Sequence, residues 1–256
     1  MAATLTVATL NLKKGELRWG ERAPLMFDQI ARLRPDIIGF QEVDLRLDQG
    51  NYICQRVNDI IWADNGPLLY RIHHMANPRE NVSLEALGIM THLPVLAHEG
   101  FDYLIRNRVA HRVRIEIDGE LLDFYNTHFH HEQDEAGHKM RQEQAEKLLN
   151  WIDARSGETS TVLVGDFNCI PGTRPIRTIS ARLTSVFETL GQEAPKTCPT
   201  LLEPKPYPGQ WPLDHIFASR SVRVLDARVV FNEPDASDAA LYPSDHYGLV
   251  ATIEAA

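Results

Sequence analysis

The sequence predicts an α/β domain of the α+β kind, built on mixed β-sheets. Three observations carry this. Apolar runs of β-forming residues recur along the chain, helix-period segments separate only some of them, and the other runs follow one another directly. Strict alternation of strand and helix would give a parallel sheet, whereas strands in succession need antiparallel neighbours, so mixed sheets are expected. With 256 residues, 43% of them hydrophobic, the chain can bury a large core. No repeat, low-complexity tract or linker divides it, so one domain over residues 1–256 is expected.

The elements follow in order. "LTVATLNL" (5–12) alternates apolar and small polar residues and reads as a first strand. "APLMFDQIARLRP" (23–35) carries Leu25, Ile30 and Leu33 at helical spacing, with Pro24 suited to a first turn and Pro35 to a stop. "DIIGFQEV" (36–43) is a second, buried strand. Residues 44–82 show no clean period and contain "DNGP" and "ANPREN", so they are expected to be mostly loop with one short helix at most. "ALGIMT", "VRIEI" and "GELLDFYNTHF" (119–129) are strands, the last after a turn at Asp118-Gly119. In "KMRQEQAEKLLNWI" (139–152), Met140, Ala145, Leu148, Leu149 and Ile152 form one helical face, with charges on the other. "TVLVGDF" is a strand and "TRPIRTISARL" helix-like. The proline-rich stretch 195–212 is expected to be a loop lining a site, and "LDHIFA", "VRVLDARVVF" and "GLVATIE" complete the strands.

The formal charge is -9, from 26 basic and 35 acidic residues. Proteins that hold long nucleic acids by their phosphates are usually basic, so this balance, with no basic cluster near any motif, favours a small phosphoester over an extended polynucleotide. The nearest basic stretches, "NPRE" and "IRNR", read as solvated loops. Cys54, Cys169 and Cys198 are sparse and unpaired in spacing, as expected of buried free thiols. No stretch approaches the roughly 18 apolar residues of a membrane span, and "MAATLTVATLNL" lacks the pattern of a signal peptide. A cytoplasmic protein is expected; oligomeric state is not legible.

One peculiarity recurs. Apolar strands end or begin on polar groups: Asn11 after "VATL", Glu42 after "IIGFQ", His128 after "DFYNT", and Asp166 with Asn168 in "VLVGDFN". Likewise Asp214-His215 opens "LDHIF" and Asp245-His246 opens "SDHYGLV". A single case is a turn, since Gly, Asp and Asn are turn residues. Repeated with amides, carboxylates and imidazoles, and no Ser or Cys nucleophile, it points to convergence on one sheet rim, where such folds place their sites. Carboxylate and amide oxygens suit a hard ion, Mg²⁺ or Mn²⁺. With a His–carboxylate pair to move a proton from water, these groups fit phosphate-ester hydrolysis.

"TLNL", "FQEV", "NTHF", "GDFN", "LDHIF" and "SDHYG" resemble, in order from residue 9 to 248, the motifs of the endonuclease/exonuclease/phosphatase superfamily, the deoxyribonuclease-I-like group. The resemblance implies a four-layer α/β/β/α sandwich of two packed mixed sheets and a metal-dependent phosphoric ester hydrolase with one or two Mg²⁺ or Mn²⁺ ions. By position it makes Glu42, Asn11 and Asp245 the metal residues, and Asp166 and Asn168 the pair orienting water and phosphoryl group. His246 becomes the catalytic histidine held by Asp214, and His128 a second one that binds substrate. "EALGIMTHLP" resembles the segment that supplies the partner of this second histidine, which would be Glu85. Ala86 replaces a usual glycine, Thr91-His92 replace Ser-Arg, and Trp211-Pro212 stand where an Arg is often found. The alternatives are a DNA or RNA endo- or exonuclease, and a catalytically silent binding module on the same fold.

Other residues have competing readings. "HFHH" (128–131) offers a zinc cluster, since His128 and His130 would share a strand face. His73-His74 and His215 read as surface or supporting groups, "HEQDEAGH" as a solvated loop, and Trp62, Tyr207 and Trp211 as pocket or packing residues.

Overall fold

The computed structural model describes residues 4–66, 68–76, 84–203 and 209–255. Strands are numbered along the chain. β1 (Thr4–Asn11), β2 (Ile37–Asp44), β3 (Arg71–Ala76), β4 (Glu85–Thr91), β11 (Val222–Val230) and β12 (Gly248–Ala255) form one sheet in the order β11-β12-β1-β2-β4-β3. β5 (Val95–Asp102), β6 (Val109–Ile117), β7 (Glu120–His128), β8 (Ser160–Asp166), β9 (Thr184–Ser185) and β10 (Asp214–Ala218) form the other, in the order β5-β6-β7-β8-β10-β9. β1 runs parallel to β2 and β7 parallel to β8; the remaining pairings are antiparallel. Both sheets are therefore mixed.

The period-2 alternation of strands explains why their sequences read as unbroken apolar runs: both faces are buried. Val7, Ile37, Phe124, Val162 and Val164 fill the layer between the sheets. Their chain neighbours Ala8 and Ile38 face outward onto α1 (Trp19–Leu33) and α2 (Gln49–Asn65), where Met26, Phe27, Ile30, Ile53 and Val57 pack. Tyr125 and Leu163 likewise meet Leu148, Trp151 and Ile152 of α3 (Glu135–Ser156) and Ile176 and Ile179 of α4 (Arg174–Ser180). A short helix α5 (Val186–Thr189) follows β9. The result is the expected α/β/β/α sandwich.

Several local expectations need correction. Residues 44–82 are not mostly loop, for they hold the 17-residue α2 and the strand β3. The buried face of α2 (Ile53, Val57, Ile61) has a regular i, i+4 spacing, but exposed Tyr52 and Trp62 on the other side blur it. β3, "RIHHMA", and edge strand β5, "VLAHEGFD", were hidden by their histidines, half-buried His73 and His74 and exposed His98. α1 begins at Trp19, so Pro24 lies in its second turn. α3 starts earlier than its apolar period does, because Asp134 accepts the Gly137 N–H as an N-cap at 2.7 Å. Part of "HEQDEAGH" is thus helix. The three cysteines are free and buried.

Candidate active site

Topology explains the convergence. β1, β2, β7 and β8 end at one rim; β4, β10 and β12, antiparallel to neighbours in those sets, begin there. His128 pairs in register with Asp166, Asp166 with Asp214, and Asp44 with Glu85. Polar residues ending some strands and opening others therefore meet above one edge of both sheets.

Two backbone irregularities aim the carboxylates. The β2–β4 register slips between Phe40 and Val43, and Glu42 sits in this bulge with left-handed φ 53°. A bulge re-aims a side chain that regular pleating would send to one face. At the end of β8, Gly165 has φ 148°, and a Cβ there would strike the Thr127 carbonyl at 2.0 Å. Asp166 then divides its oxygens. Oδ1 accepts the Asn168 N–H at 2.8 Å, a turn with Asn168 at φ 49°. Oδ2 accepts from Asn11 Nδ2 at 3.1 Å and lies 3.5 Å from His128 Nε2 and 3.9 Å from His246 Nε2. The turn uses Oδ1, and Oδ2 is the oxygen left facing Asn11, His128 and His246.

Asn11 Nδ2 also donates to Glu42 Oε1 at 3.1 Å, while its own oxygen accepts the Lys13 N–H at 2.9 Å. In this orientation the amide braces two carboxylates; the flipped amide would present its oxygen to them instead. Asp214 Oδ2 accepts from His246 Nδ1 at 2.8 Å, leaving Nε2 directed at the cleft. Burial opposes charge on the His246 ring, but Asp214, Cys198 and Asp245 outweigh it and raise the pKa well above the ordinary value. Burial pushes the Asp245 carboxyl up, and His246 with Lys13 more than reverses it.

His128 and Glu85 come together, Nδ1 to Oε1 at 3.4 Å, but a residue the sequence reading passed over stands between them. Arg108 Nη1 lies 2.8 Å from both His128 Nδ1 and Glu85 Oε1. A guanidinium has no acceptor, so Nδ1 must accept and the His128 proton sits on Nε2, facing Asp166 and Glu42. The Glu85 carboxyl, which burial alone would raise, is held well below the usual range, with the Arg108 and Lys14 cations beside it. "IRNR" is thus not simply a solvated loop: its last residue belongs to the site.

Arg22 is the second omission. Fully buried, it donates to the carbonyls of Leu17, Lys14, Glu16 and Pro243 at 2.8–3.0 Å. It ties the segment after Asn11 to the segment before Asp245, and burial lowers its pKa to about 10. Lys13 Nζ lies 3.1 Å from Glu203 and 3.4 Å from Asp245. Burial lowers its pKa, but Asp245, Glu42 and Glu203 reverse this and raise it.

A cleft of about 720 Å³ contains Glu42, Asp166, Asn168, Asp245 and His246, with Ile170, Trp211 and Leu213 on one wall. It adjoins a hollow of about 610 Å³ bordered by Lys14, Arg46, Arg106 and Arg108, with His128 common to both. The expectation that no basic cluster lies near a motif is corrected: three separate segments supply one. His130 does not join His128, for it pairs with Glu132 at 3.0 Å, so the zinc reading of "HFHH" loses its second ligand. His215 Nε2 donates to the Cys169 carbonyl at 2.8 Å, supporting the loop after Asn168. His73 and His74 are half-buried members of edge strand β3. Trp62 is 73% exposed and borders neither hollow, and Tyr207 lies outside the described residues.

Do these groups fit a hard divalent ion? Asp166 and Asp245 are buried carboxylates, joined by Glu42 and an amide, which is the oxygen-rich chemistry Mg²⁺ or Mn²⁺ prefers. Two other triads, Cys198–Asp245–His246 and Asp166–Asp214–His246, have donors within 4.8 Å of one another. In both, His246 would offer Nε2, since its Nδ1 is on Asp214. The oxygen set fits.

An α/β/β/α sandwich carrying a carboxylate rim with two supported histidines defines a class, the hydrolases of phosphoester bonds. Residues 8–246 match the model of the Endonuclease/Exonuclease/phosphatase family, and the chain belongs to that family. Its members generally use divalent metal ions. Among solved structures, the chain is similar to an endonuclease/exonuclease/phosphatase from Bacteroides vulgatus (TM-score 0.80, 20% identity, 99% of this chain and 100% of that one). It is also similar to TDP2 from C. elegans (0.77, 18%, 98% and 75%) and to the human Nocturnin catalytic domain with bound sulfate (0.75, 20%, 98% and 93%). No curated protein matches it in sequence. No helix among the described residues is long and apolar enough to cross a membrane.

Proposed function

We propose that this protein is a Mg²⁺- or Mn²⁺-dependent phosphoesterase that hydrolyses a small or single-ended phosphoester, such as a sugar, lipid-headgroup or nucleotide phosphate, by attack of water. The observation that carries the proposal is the meeting of three side chains on one oxygen: Asn11, His128 and His246, from both sheets, all face Asp166 Oδ2 within 3.9 Å. Glu42, Asp245 and Asn11 form the set that would hold the ion, with Asp166 beside them. A divalent ion there supplies Lewis-acid polarisation of the phosphoryl group.

The protein's own groups do the rest. Asp166, kept in orientation by the Asn168 N–H and by Asn11, positions the attacking water. His246, its Nδ1–H on Asp214, exchanges a proton at Nε2. His128 donates its Nε2–H to a phosphoryl oxygen as charge builds, because Arg108 occupies Nδ1. Asn168, anchored through Nδ2 to the Phe129 carbonyl at 3.1 Å, borders the phosphoryl position. Trp211, Ile170 and Leu213 offer an apolar wall to the rest of the ester.

One observation favours a nuclease as the second reading, namely the Lys14, Arg46, Arg106 and Arg108 border of the adjoining hollow. Lys14 and Arg108 are however shared with Glu85, and Arg46 with Asp44, which reduces what they offer a polyanion. The deciding experiment incubates the protein with supercoiled plasmid and with short phosphomono- and diesters at low salt, with Mg²⁺, Mn²⁺ or EDTA. Hydrolysis of a short ester, abolished by EDTA, is expected. Rapid nicking with short esters untouched establishes the nuclease, and full activity in EDTA removes the metal-dependent mechanism altogether.

A further inference from the structure

Four side chains with metal-binding chemistry gather away from the cleft. β3 and β5 are edge strands of the two sheets, and their inward residues meet. Ile72 and His74 of β3 face α2, since a Cβ on Gly50 would strike His74 Nε2 and lie 3.0 Å from Ile72 Cδ1. By strand alternation His73 and Met75 face the other way, into the gap between the sheets. His98 enters that gap from β5, paired with Val113, and His111 from β6, two residues before Val113 of the inter-sheet core. The ring centroids of His98 and His111 are 4.7 Å apart, and those of His73 and His98 5.1 Å. Gly100, paired with His111, makes room for the Met75 thioether, because a Cβ there would strike Sδ. None of the four borders either hollow at the rim.

We propose that His98, His111 and Met75 bind a soft metal ion, Cu⁺, at a site separate from the carboxylate rim. His111 carries the argument. Its ring is fully buried, and neither nitrogen has a hydrogen-bond partner among the described residues. Buried polar atoms are nearly always paired, and a neutral imidazole nitrogen is the commonest metal ligand. Burial, then the nearby His98, His73 and His74, hold the His111 pKa well below the ordinary value, so the ring stays in the neutral form that ligates. One His98 nitrogen is hydrogen-bonded to the His74 backbone in the sense that favours its protonation, which leaves a lone pair on the other. Metal-ligating histidines typically donate their second N–H in this way. The spacing also suits a shared ion. A metal sits about 2.0–2.1 Å from an imidazole nitrogen, so two rings sharing one have centroids roughly 5 Å apart. Imidazole with thioether is a soft donor set, which selects Cu⁺ over the hard ions Mg²⁺ and Mn²⁺. Exposed His98 gives the ion a way in.

The test titrates the full chain with Cu⁺ buffered by bicinchoninate, under ascorbate without oxygen and with Mg²⁺ in excess. Uptake is followed by loss of the coloured bicinchoninate complex, and the Met75 methyl and His111 ring by NMR. The wild type is expected to take one Cu⁺ per chain and to move both signals. His98→Ala and Met75→Leu, each checked for folding by thermal melting, are expected to bind at least about tenfold more weakly, since a lost ligand costs no less than a lost supporting contact. His98 is exposed, so its truncation leaves the packed core untouched. No uptake by the wild type overturns the proposal. So does uptake that leaves the Met75 and His111 signals in place, or that is equally tight in His98→Ala and Met75→Leu, because the ion then sits on the thiols or the rim. None of these outcomes depends on the hydrolysis proposed above.

Discussion

Replacing Arg108 by Met removes one donor that serves two acceptors. Nη1 lies 2.8 Å from Glu85 Oε1 and 2.8 Å from His128 Nδ1, in a side chain that is 14% exposed. Met keeps most of the volume and none of the hydrogen bonding. Glu85 retains Lys14 at 3.0 Å, so the carboxylate is not stranded, and the loss falls on the imidazole. Without the guanidinium, nothing obliges Nδ1 to be the acceptor. The ring can place its proton there, towards Glu85 at 3.4 Å, and turn a lone pair towards the cleft, where an N–H is needed. A hydrogen bond to a charged group is worth about 1.5–3 kcal/mol. At 1.36 kcal/mol per decade in rate, this corresponds to a loss of roughly 10- to 150-fold in kcat/KM. The assay is steady-state hydrolysis of a chromogenic ester by wild type, Arg108→Met, Glu85→Gln and the double variant, with ¹⁵N shifts of His128 as an independent report of the tautomer. Because both partners act through one nitrogen, the double variant should lose much less than the product of the singles. Wild-type kcat/KM in Arg108→Met, or an Nδ1–H tautomer in the wild type, would refute the reasoning.

Three further outcomes follow from the same geometry. His246→Ala should lower kcat by on the order of 10²–10⁴ with the fold intact, and Asp214→Asn should reproduce much of that loss; a variant with unchanged kcat removes His246 from proton transfer. Arg22→Met should destabilise the protein by about 1.5–3 kcal/mol or more in urea unfolding, since the buried Pro243 carbonyl and the part-buried carbonyls of Lys14, Glu16 and Leu17 would lose a charged donor; a shift below about 1 kcal/mol contradicts the clamp. The last concerns acid. His111 is fully buried, neither of its ring nitrogens has a partner, and it stands 4.7 Å from the His98 ring, which is itself 5.1 Å from that of His73. Burial, then the nearby His98, His73 and His74, keep its pKa well below 6.5. The unfolded chain therefore binds a proton that the folded one refuses, and stability falls as pH drops below 6.5, by up to about 1.36 kcal/mol per pH unit for this ring. His246, raised rather than lowered, works in the opposite direction, so the informative quantity is the difference between wild type and His111→Leu. Unfolding by urea from pH 7 to 5 should give a shallower slope in the variant, and equal slopes would show that His111 carries no such penalty.

The sequence by itself determined the chemistry of the rim. Where an apolar run meets a polar residue is a local fact, visible without knowing the partner, so Asn11, Glu42, His128, Asp166, Asn168, Asp214, Asp245 and His246 could all be named from strand ends. The mixed sheets were legible from strands in succession, whereas the four layers were implied by the family resemblance of the six motifs. Only the tertiary structure decided what lies between these groups. Arg108 and Lys13 sit in segments whose sequence reads as solvated charge, and nothing local distinguishes a lysine that returns to Asp245 from one that points to water. Arg22 belongs to the opening turns of a helix, and its burial depends on the carbonyls of two loops that come together across more than 200 residues of chain. The basic border of the adjoining hollow is likewise assembled from Lys14, Arg46, Arg106 and Arg108, which are neighbours only in space. Helix α2 was obscured by exposed aromatics on its outer face, although Ile53, Val57 and Ile61 on the opposite face pack into the core. Hydrophobic period and strand ends are properties of a few consecutive residues, whereas the partner of a charge is a property of the fold, since its electrostatic energy depends on distances that the chain order does not contain.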